Sequence, residues 1–334
     1  MKIIRNLKRD IEGEDVKRLQ EELKALGYDP GPIDGKFGPR TEEAVKKFQK
    51  DKGLKEDGIV GPKTAEAINK EIFMKTNPIT GRNMFIWKLK PVLTAEMGIN
   101  NFVSKAKMAK LSSVWIKIAV GTSPYHQNLS EDFNSVRDKL MAEGITVWGW
   151  HEPRCKTVAI AENEAQIVAD LAKDLKVKGI LMDAEKPEGN SFFQGGVEEA
   201  SAYAKTLREL LGASGLSLAI CSHDIPHNFP GFPFEEFARY AHVNAPQVYY
   251  GGSPSVRNRL ERAINANSML TIPFVPVGAG WLGDGGGCAS ASACAERALV
   301  FMHLIREYGF PGYGFWHWGG APSNLWEVLF SSPV

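Results

Sequence analysis

The chain has 334 residues, of which 43% are hydrophobic and 24% charged, a composition that excludes a disordered or fibrous protein and suits about two folded domains. Lys and Arg total 40 against 39 Asp and Glu, so the formal net charge is +1 and we expect no nucleic-acid partner. The opening residues contain no apolar run suited to a signal peptide, and no later run is long enough to span a bilayer, so we expect cytoplasmic synthesis without membrane insertion.

An internal repeat is the first structural signal along the chain. Residues 34–41 read DGKFGPRT, and residues 57–64 read DGIVGPKT, 23 positions later. Asp-Gly is typical of a turn, and each proline stands where the first residue of a helix needs no N–H donor. An earlier apolar stripe at helical spacing adds a third helix. The pattern predicts a three-helix domain over residues 1–74, with helices beginning near residues 39 and 62.

The stretch from about Glu14 to Ile72, with LQEELKALGY, both DGxxGPxT turns and AVKKFQKDKGL, resembles the peptidoglycan-binding type 1 domain. The resemblance implies a non-catalytic module that binds bacterial cell wall, with peptidoglycan as the partner. It also implies a contact surface near Asp34, Gly35, Phe37 and Thr41. The alternative interpretation of these glycines and prolines is that they only shape turns and cap helices.

A polar segment, residues 75–83, predicts a linker, and the pattern changes after it. Residues 84–334 alternate short apolar runs with amphipathic stretches. The runs predict eight strands: MFIWKL, VWIKIAV, TVWGW, GILMDAE, LSLAICS, VNAPQVYY, IPFVPVG and GYGFWHW. The stretches between them predict helices at 99–111, 131–143, 158–175, 196–211, 255–267, 290–308 and 324–330.

This alternation predicts the fold class α/β, a (β/α)8 barrel of the TIM type preceded by the small helical domain. A doubly wound open sheet is the alternative. It would normally carry a glycine-rich phosphate loop after its first strand, and none follows here. The barrel predicts an active site at the carboxyl ends of its strands.

Acidic and aromatic residues dominate those strand ends, which suits a groove where indole faces lie against sugar rings. We expect substrate contacts from Trp150, His151, Glu152, His223, Asp224, Gln247, Tyr249, Trp281, Trp316 and Trp318. Of the other tryptophans, Trp87, Trp115 and Trp326 are expected in the core.

The fourth strand, GILMDAEK, carries the candidate catalytic pair. Asp183 and Glu185 point the same way because strand side chains alternate. Two carboxyls on one face at the end of an apolar strand repel each other, so at least one pKa should rise, as a general acid near neutral pH requires. The alternative is one helix-capping Asp and one surface Glu.

The D-x-E pair at the end of the fourth strand is similar to that of glycoside hydrolase family 25 lysozymes and, more distantly, family 18 chitinases. The resemblance implies that Glu185 protonates the glycosidic oxygen and that Asp183 assists the 2-acetamido group, whose carbonyl attacks the anomeric carbon. It implies that Tyr249 bonds that acetamido oxygen. The expected function is a peptidoglycan hydrolase, an endolysin-like muramidase cleaving β-1,4 links, with glucosaminidase left open.

The chain departs from both families at particular positions. Family 25 chains usually end their first strand with Asp, whereas here the nearest acid is Glu96, and Leu181 stands where family 18 has a further Asp. A catalytically silent, glycan-binding barrel therefore remains an alternative. A metal-dependent wall amidase or deacetylase is another, with His151, Glu152, His223, Asp224 and His227 as ligands, although no HExxH motif appears.

We expect no cofactor, no metal and a monomer. We expect free thiols at Cys155, Cys221, Cys288 and Cys294, with a bridge between Cys288 and Cys294 as the alternative. Without a signal peptide, a wall hydrolase needs another route to its substrate. A bacteriophage endolysin reaches the host periplasm through a membrane lesion made by a separate protein. The order of binding module before enzyme resembles phage lysins of Gram-negative hosts.

Overall fold

The computed structural model describes residues 5–130 and 132–334, which fall into two units with the boundary between Asn77 and Pro78. The first unit contains helices α1 (Glu14–Leu26), α2 (Pro39–Asp51) and α3 (Pro62–Thr76). The prediction that helices begin at the two repeat prolines is confirmed. Residues 1–4 of the predicted domain lie outside the described part. The predicted linker, 75–83, overlaps the end of α3 and the start of the first strand.

A glutamine organises each copy of the repeat. The Gln20 Nε2 donates to Asp34 Oδ1, to the Lys36 carbonyl and to Thr41 Oγ1, at 3.0–3.2 Å. The Gln49 Nε2 donates in the same way to Asp57 Oδ1, the Ile59 carbonyl and Thr64 Oγ1, at 3.0–3.1 Å. The Asp and Thr of the motif are therefore parts of a hydrogen-bond network, centred on a buried glutamine, that joins each turn to a helix.

This network corrects the predicted wall contact. Phe37 and Thr41 are each 1% exposed, so the prediction that they face the wall is wrong: Phe37 packs in the helical core, and Thr41 donates to the Pro30 carbonyl. Gly35 is buried, and its N–H points at Gln20 Oε1. Asp34 is exposed, and its contact with the wall stays a prediction.

The second unit is a ring of eight parallel strand positions. Going round the ring, these are β1 (Gly81–Ile86), β2 (Leu111–Val120), β4 (Thr146–Glu152), β5 (Gly179–Asp183), β6 (Ser217–Cys221), β7 with β8 (Val243–Asn244 and Gln247–Val248), β9 (Val277–Ala279) and β10 (Gly312–Trp316). A short strand, β3 (Ser123–Pro124), pairs antiparallel with the end of β2. The predicted (β/α)8 barrel is confirmed.

The ring closes through the interrupted sixth position, β7 with β8. On one side, the Gln247 N–H donates to the Ser222 carbonyl, and on the other the Val277 N–H donates to the Pro246 carbonyl. Pro246 has no N–H to give to the sheet, so the predicted run 243–250 forms two short strands instead of one. Pro273 and Pro276 shorten the next predicted strand, 272–278, for the same reason.

Helices surround this ring: α4 (Leu89–Ala95), α5 (Ile99–Met108), α6 (Asp132–Ala142), α7 (Val158–Asp174), α8 (Val197–Gly212), α9 (Phe234–Tyr240), α10 (Val256–Ala266), α11 (Ala291–Glu307) and α12 (Ser323–Ser331). The sequence pattern did not predict α4 or α9. The predicted helix 131–143 includes residue 131, which lies outside the described residues. Among the described residues, none of the helices has the length and apolar character needed to span a bilayer.

Side chains alternate between two cores, as parallel strands covered on both faces require. The inner cluster contains Phe85, Trp115, Trp148, Trp150 and Leu181. The outer cluster contains Ile116, Val147, Ile180 and Met182, which pack against the helices. Inward-facing positions near the carboxyl ends of the strands therefore face one opening, where the polar strand-end residues lie.

Candidate active site

A cavity of about 870 Å³ opens at the carboxyl ends of the barrel strands. It is lined by residues from strand ends and from the loops that follow them: Trp87, Lys117, Trp150, Glu152, Asp183, Glu185, Phe192, His223, Asp224, Asn228, Phe229, Gln247, Tyr249, Gly252, Ser253, Arg259, Trp281, Asp284, Gly285, Gly286 and Trp316. This volume lies within the range typical of small-ligand sites.

Asp183 and Glu185 lie together in this cavity. Asp183 ends β5 and is 6% exposed, and Glu185 is half-buried two residues later. The Gln247 Nε2 donates to both, at 3.1 Å to Asp183 Oδ1 and 2.8 Å to Glu185 Oε1. One amide therefore holds the two carboxyls on one side of the cavity.

Burial and the neighbouring carboxylate of Glu185 raise the pKa of Asp183 well above its usual value. Burial also raises the pKa of Glu185, although hydrogen bonds from Gln247 and Asp183 act against this. Two close carboxyls in a poorly solvated site do not ionise independently. The pair therefore retains a proton at a pH where exposed carboxyls have lost theirs.

A buried ion pair lies beside the two acids. The Lys117 Nζ is 2.8 Å from Glu152 Oε2, and the two side chains are 7% and 11% exposed. The Lys117 ammonium also lies over the Trp150 ring, 4.6 Å from its centroid. The charge of Lys117 lowers the pKa of Asp183, whereas the charge of Glu152 raises it. The two charges of this ion pair therefore shift the pKa of Asp183 in opposite directions.

Aromatic rings form the floor and rim of the cavity. Trp150 and Trp316 are in edge-to-face contact, with ring centroids 5.6 Å apart, and Phe85 packs beneath both at 5.9 and 5.2 Å. The rings of Tyr249 and Trp281 are 4.8 Å apart, also edge to face. Flat apolar faces beside carboxyl groups are the surfaces on which sugar rings pack.

Asp224 and Arg259 form an ion pair in the cavity wall. The Arg259 Nη2 donates to Asp224 Oδ1 at 2.7 Å, and Asp224 is 4% exposed. Burial raises the pKa of Asp224, while Arg259 acts against that shift. His223 lies next to this pair and is neutral at pH 7, because burial and the charge of Lys186 lower its pKa to about 4.

Two predicted substrate contacts are wrong. His151 has no exposed surface, and burial lowers its pKa to about 3, so the ring is neutral: Nε2 donates to the Gly121 carbonyl and Nδ1 accepts from the Tyr203 hydroxyl, at 2.9 and 2.6 Å. Trp318 is 3% exposed because the chain turns into a short 3-10 helix there, and its indole N–H donates to Glu96. Neither residue lines the cavity.

Glu96 does not replace the acid that is missing from the first strand. It accepts from Trp318 and from Lys105, away from the cavity. Trp87 stands near the end of that strand instead, 40% exposed and lining the cavity, so the prediction that it belongs to the core is wrong. Trp115 and Trp326 are buried as expected, at 0% and 4%.

The proposed metal ligands of the amidase alternative do not converge. His151 is turned outward, Glu152 is paired with Lys117, Asp224 is paired with Arg259, and His223 accepts a backbone N–H from Lys186. Across residues 5–130 and 132–334, no group of three or more His, Cys, Asp and Glu side chains is placed to hold a metal ion. All four cysteines are buried free thiols in this structure.

Sequence reasoning missed Lys117, Arg259, Asn228 and Phe229 as cavity residues. Lys117 had a readable signal, because a single cation inside the apolar run VWIKIAV needs a buried partner. Arg259 comes from α10 and Phe229 from the loop after β6, and neither position follows from strand periodicity.

Residues 12–68 match the family model PG_binding_1, described as "Putative peptidoglycan binding domain". The first unit therefore carries a domain of this family, as its repeat predicts. An uncharacterized protein in the bpoA1 3' region of Kitasatospora aureofaciens is 46% identical over 74 residues, which are 22% of this chain and 63% of that protein. A spore cortex-lytic enzyme of Bacillus cereus is 42% identical over 64 residues, 19% of this chain and 25% of that enzyme. The chain thus spans less than two thirds of either relative.

Solved structures are similar over much more of the chain. The spore cortex-lytic enzyme SleL of Bacillus cereus gives a TM-score of 0.53 at 10% identity, over 97% of this chain and 85% of that one. A GH18 chitinase from Pseudoalteromonas aurantia gives 0.53 at 10% identity, over 74% of this chain and 97% of that one. The chain is thus a peptidoglycan-binding domain followed by a (β/α)8 barrel that resembles the GH18 chitinase fold. The family 25 resemblance stays a prediction.

Proposed function

We propose that this protein is a peptidoglycan hydrolase whose barrel cleaves β-1,4 bonds between N-acetylated sugars. The observation that carries the proposal is the pair Asp183 and Glu185, joined by Gln247 at the end of the fourth barrel strand in an aromatic-lined cavity. The first unit supports a wall polymer as the substrate, because its family is described as peptidoglycan binding. A relative named as a spore cortex-lytic enzyme supports the same setting.

Glu185 is the general acid. It is the more exposed carboxyl of the pair, and burial raises the pKa of both carboxyls, so the pair holds a proton to higher pH than exposed carboxyls do. In the first step, the Glu185 proton passes to the glycosidic oxygen while the acetamido carbonyl oxygen bonds to the anomeric carbon and the leaving sugar departs. In the second step, the Glu185 carboxylate takes a proton from water, the water oxygen bonds to the anomeric carbon, and the bond between that carbon and the acetamido oxygen breaks. The acid is thereby regenerated.

In the reactive form of the pair, the shared proton is on Glu185, and the Asp183 carboxylate assists the acetamido group, whose nitrogen gains positive charge when its carbonyl attacks. A buried carboxylate next to that nitrogen stabilises the charge strongly, because few waters screen it. Tyr249 follows β8 directly and lines the cavity, and in this proposal it orients the acetamido oxygen. We expect Tyr249→Phe to lower kcat about tenfold with little change in KM, since the contact tightens as the oxygen attacks.

The two-step mechanism predicts retention of configuration. The acetamido carbonyl first displaces the leaving sugar at the anomeric carbon, and water then displaces the carbonyl oxygen from the opposite side. Two displacements at one carbon restore its configuration, so the first product is the β-anomer. Proton NMR of a fresh digest measures that anomer directly.

Replacing the acid tests the proposal. Glu185→Gln keeps the size and the contact with Gln247 but removes the proton donor, so we expect release of reducing ends from purified peptidoglycan to fall at least about a hundredfold. Glu209→Gln is the matched control, because Glu209 is exposed on α8 outside the cavity. Wall binding should be equal in all three proteins. Full activity in Glu185→Gln would contradict the assignment of the acid, and no activity in the wild type would leave a barrel that only binds glycan.

Muramidase specificity is the finer form of the proposal. Both a muramidase and a glucosaminidase cut between N-acetylated sugars, and Asp183 assists an acetamido group in either. The sugar at the new reducing end distinguishes the two: N-acetylmuramic acid for a muramidase and N-acetylglucosamine for a glucosaminidase. Action on the wall from the periplasmic side, as by a phage endolysin, belongs to the same proposal.

A further inference from the structure

A second concavity of about 440 Å³ adjoins the main cavity. The two share Asn228 and Phe229 in their walls. Beyond these, the second concavity is lined by apolar side chains, among them Phe193 and Phe232, with Lys186 as its cation. A polymer bound in the main cavity would therefore have a continuous surface onto which a side branch can extend.

Lys186 is held in place at this concavity. Its backbone N–H donates to His223 Nε2 at 3.1 Å, and its ammonium lies over the Phe229 ring, 5.4 Å from the centroid. Phe229 in turn stacks on His223, with ring centroids 3.8 Å apart. A lysine fixed at its backbone and along its side chain loses little further freedom when it binds an anion.

The charged side chains differ between the main cavity and the second concavity, where Lys186 lies. The main cavity is lined by five carboxyl side chains, Glu152, Asp183, Glu185, Asp224 and Asp284, against the two cations Lys117 and Arg259. Each of those cations is already bonded to a carboxylate. Lys186 is exposed, and none of the ion pairs in the described part of the chain includes it. A substrate carboxylate is therefore repelled from the main cavity and attracted to Lys186.

We propose that Lys186 and the concavity beside Phe229 form a subsite for a carboxylate-bearing peptide substituent of the sugar polymer. This inference rests on the proposed function, because peptidoglycan is a polymer of neutral N-acetylated sugars alternating with sugars that carry an acidic peptide. The apolar wall packs against the peptide side chains, and the ammonium binds a carboxylate. The neutral sugar rings occupy the acidic main cavity.

The test compares soluble peptide-bearing peptidoglycan strands with the same strands after their carboxylates have been converted to amides. Lys186→Met keeps the apolar stem but removes the charge, and we expect kcat/KM on the unmodified strands to fall about fivefold, mainly through KM. The fall should disappear on amidated strands and shrink with added salt. Lys186→Arg should retain most of the wild-type value. Lys205→Met, an exposed lysine on α8, should retain all of it.

Equal rates for Lys186→Met and wild type on unmodified strands would overturn the subsite, and so would equal losses on both substrates. Binding of strands to Glu185→Gln proteins, with and without Lys186→Met, separates this inference from the proposed function. Affinity that depends on Lys186, found together with an inactive wild type, would refute the hydrolase and keep the subsite. Affinity that does not depend on Lys186, found with an active wild type, would refute only the subsite.

Discussion

The buried ion pair between Lys117 and Glu152 offers the sharpest test of the site's electrostatics. Both side chains are nearly inaccessible, and the two charged atoms are 2.8 Å apart. Glu152→Gln leaves the buried Lys117 ammonium without its carboxylate, and Lys117→Met leaves Glu152 with only Arg154, whose Nη2 is 3.5 Å from Glu152 Oε1. We expect each to cost about 3–5 kcal/mol of unfolding free energy, the usual result of breaking a buried pair.

The two variants should nevertheless move the pH dependence of activity in opposite directions. Lys117 lowers the pKa of Asp183, so its removal raises that pKa, and the pair keeps its proton to higher pH. Glu152 raises the pKa of both acids, so its removal lowers them. Activity requires a proton on the pair, hence the alkaline limb of kcat/KM moves up in Lys117→Met and down in Glu152→Gln.

The assay is reducing-end release across a pH series, with urea unfolding in parallel. The double variant Lys117→Met with Glu152→Gln is the control, because it removes both charges and should bring the alkaline limb back toward that of the wild type. It should also recover part of the lost stability. Shifts of the same sign in both single variants, or no shift in either, would refute the assigned electrostatics.

Three further predictions concern stability. Asp183→Asn should raise the melting temperature by a few degrees at pH 8 and not at pH 3. A carboxyl whose pKa is raised on folding destabilises the folded protein as pH rises from the unfolded pKa toward the folded pKa. An equal gain at both pH values would contradict this. Gln20→Leu should cost the first unit about 2–3 kcal/mol and speed its amide exchange, while tryptophan fluorescence, which reports only residues from Trp87 onward, stays unchanged. Arg82→Met should cost about 3 kcal/mol or more in urea unfolding, since the buried guanidinium bonds the Tyr313 hydroxyl and the Ala109 and Leu329 carbonyls; a cost below about 1 kcal/mol would contradict this.

Much of the fold could be predicted from the sequence, because particular residues mark where helices and strands begin and end. The two prolines of the repeat mark the starts of α2 and α3, because a proline at the first helical position needs no hydrogen bond. Apolar runs separated by amphipathic stretches mark the barrel strands. The strands next to Pro246 and Pro276 were predicted too long. These prolines contribute carbonyls to the sheet but no N–H, and the strands are therefore shorter than the apolar runs.

Candidate site residues that were assigned by the alternation of side chains along a strand lie in the cavity, whereas some that were assigned without it do not. Asp183 and Glu185 were paired by alternation, and both lie in the cavity. The same rule places His151 on the opposite face of its strand from Trp150 and Glu152, which face inward. The outward position of His151 could therefore have been predicted from the sequence. Phe229 and Arg259 reach the cavity from a loop and a helix, and no strand pattern reports their positions.

The most direct test is the chemical identity of the bond that is cut. Purified peptidoglycan is digested with the protein, reduced with borohydride and analysed by mass spectrometry. A glycosidase centred on Asp183 and Glu185 produces one new reduced amino sugar for each bond cleaved, and at least about a hundredfold less of it with Glu185→Gln. New peptide amino termini without any reduced sugar would show that the protein cuts an amide bond and would contradict the assignment.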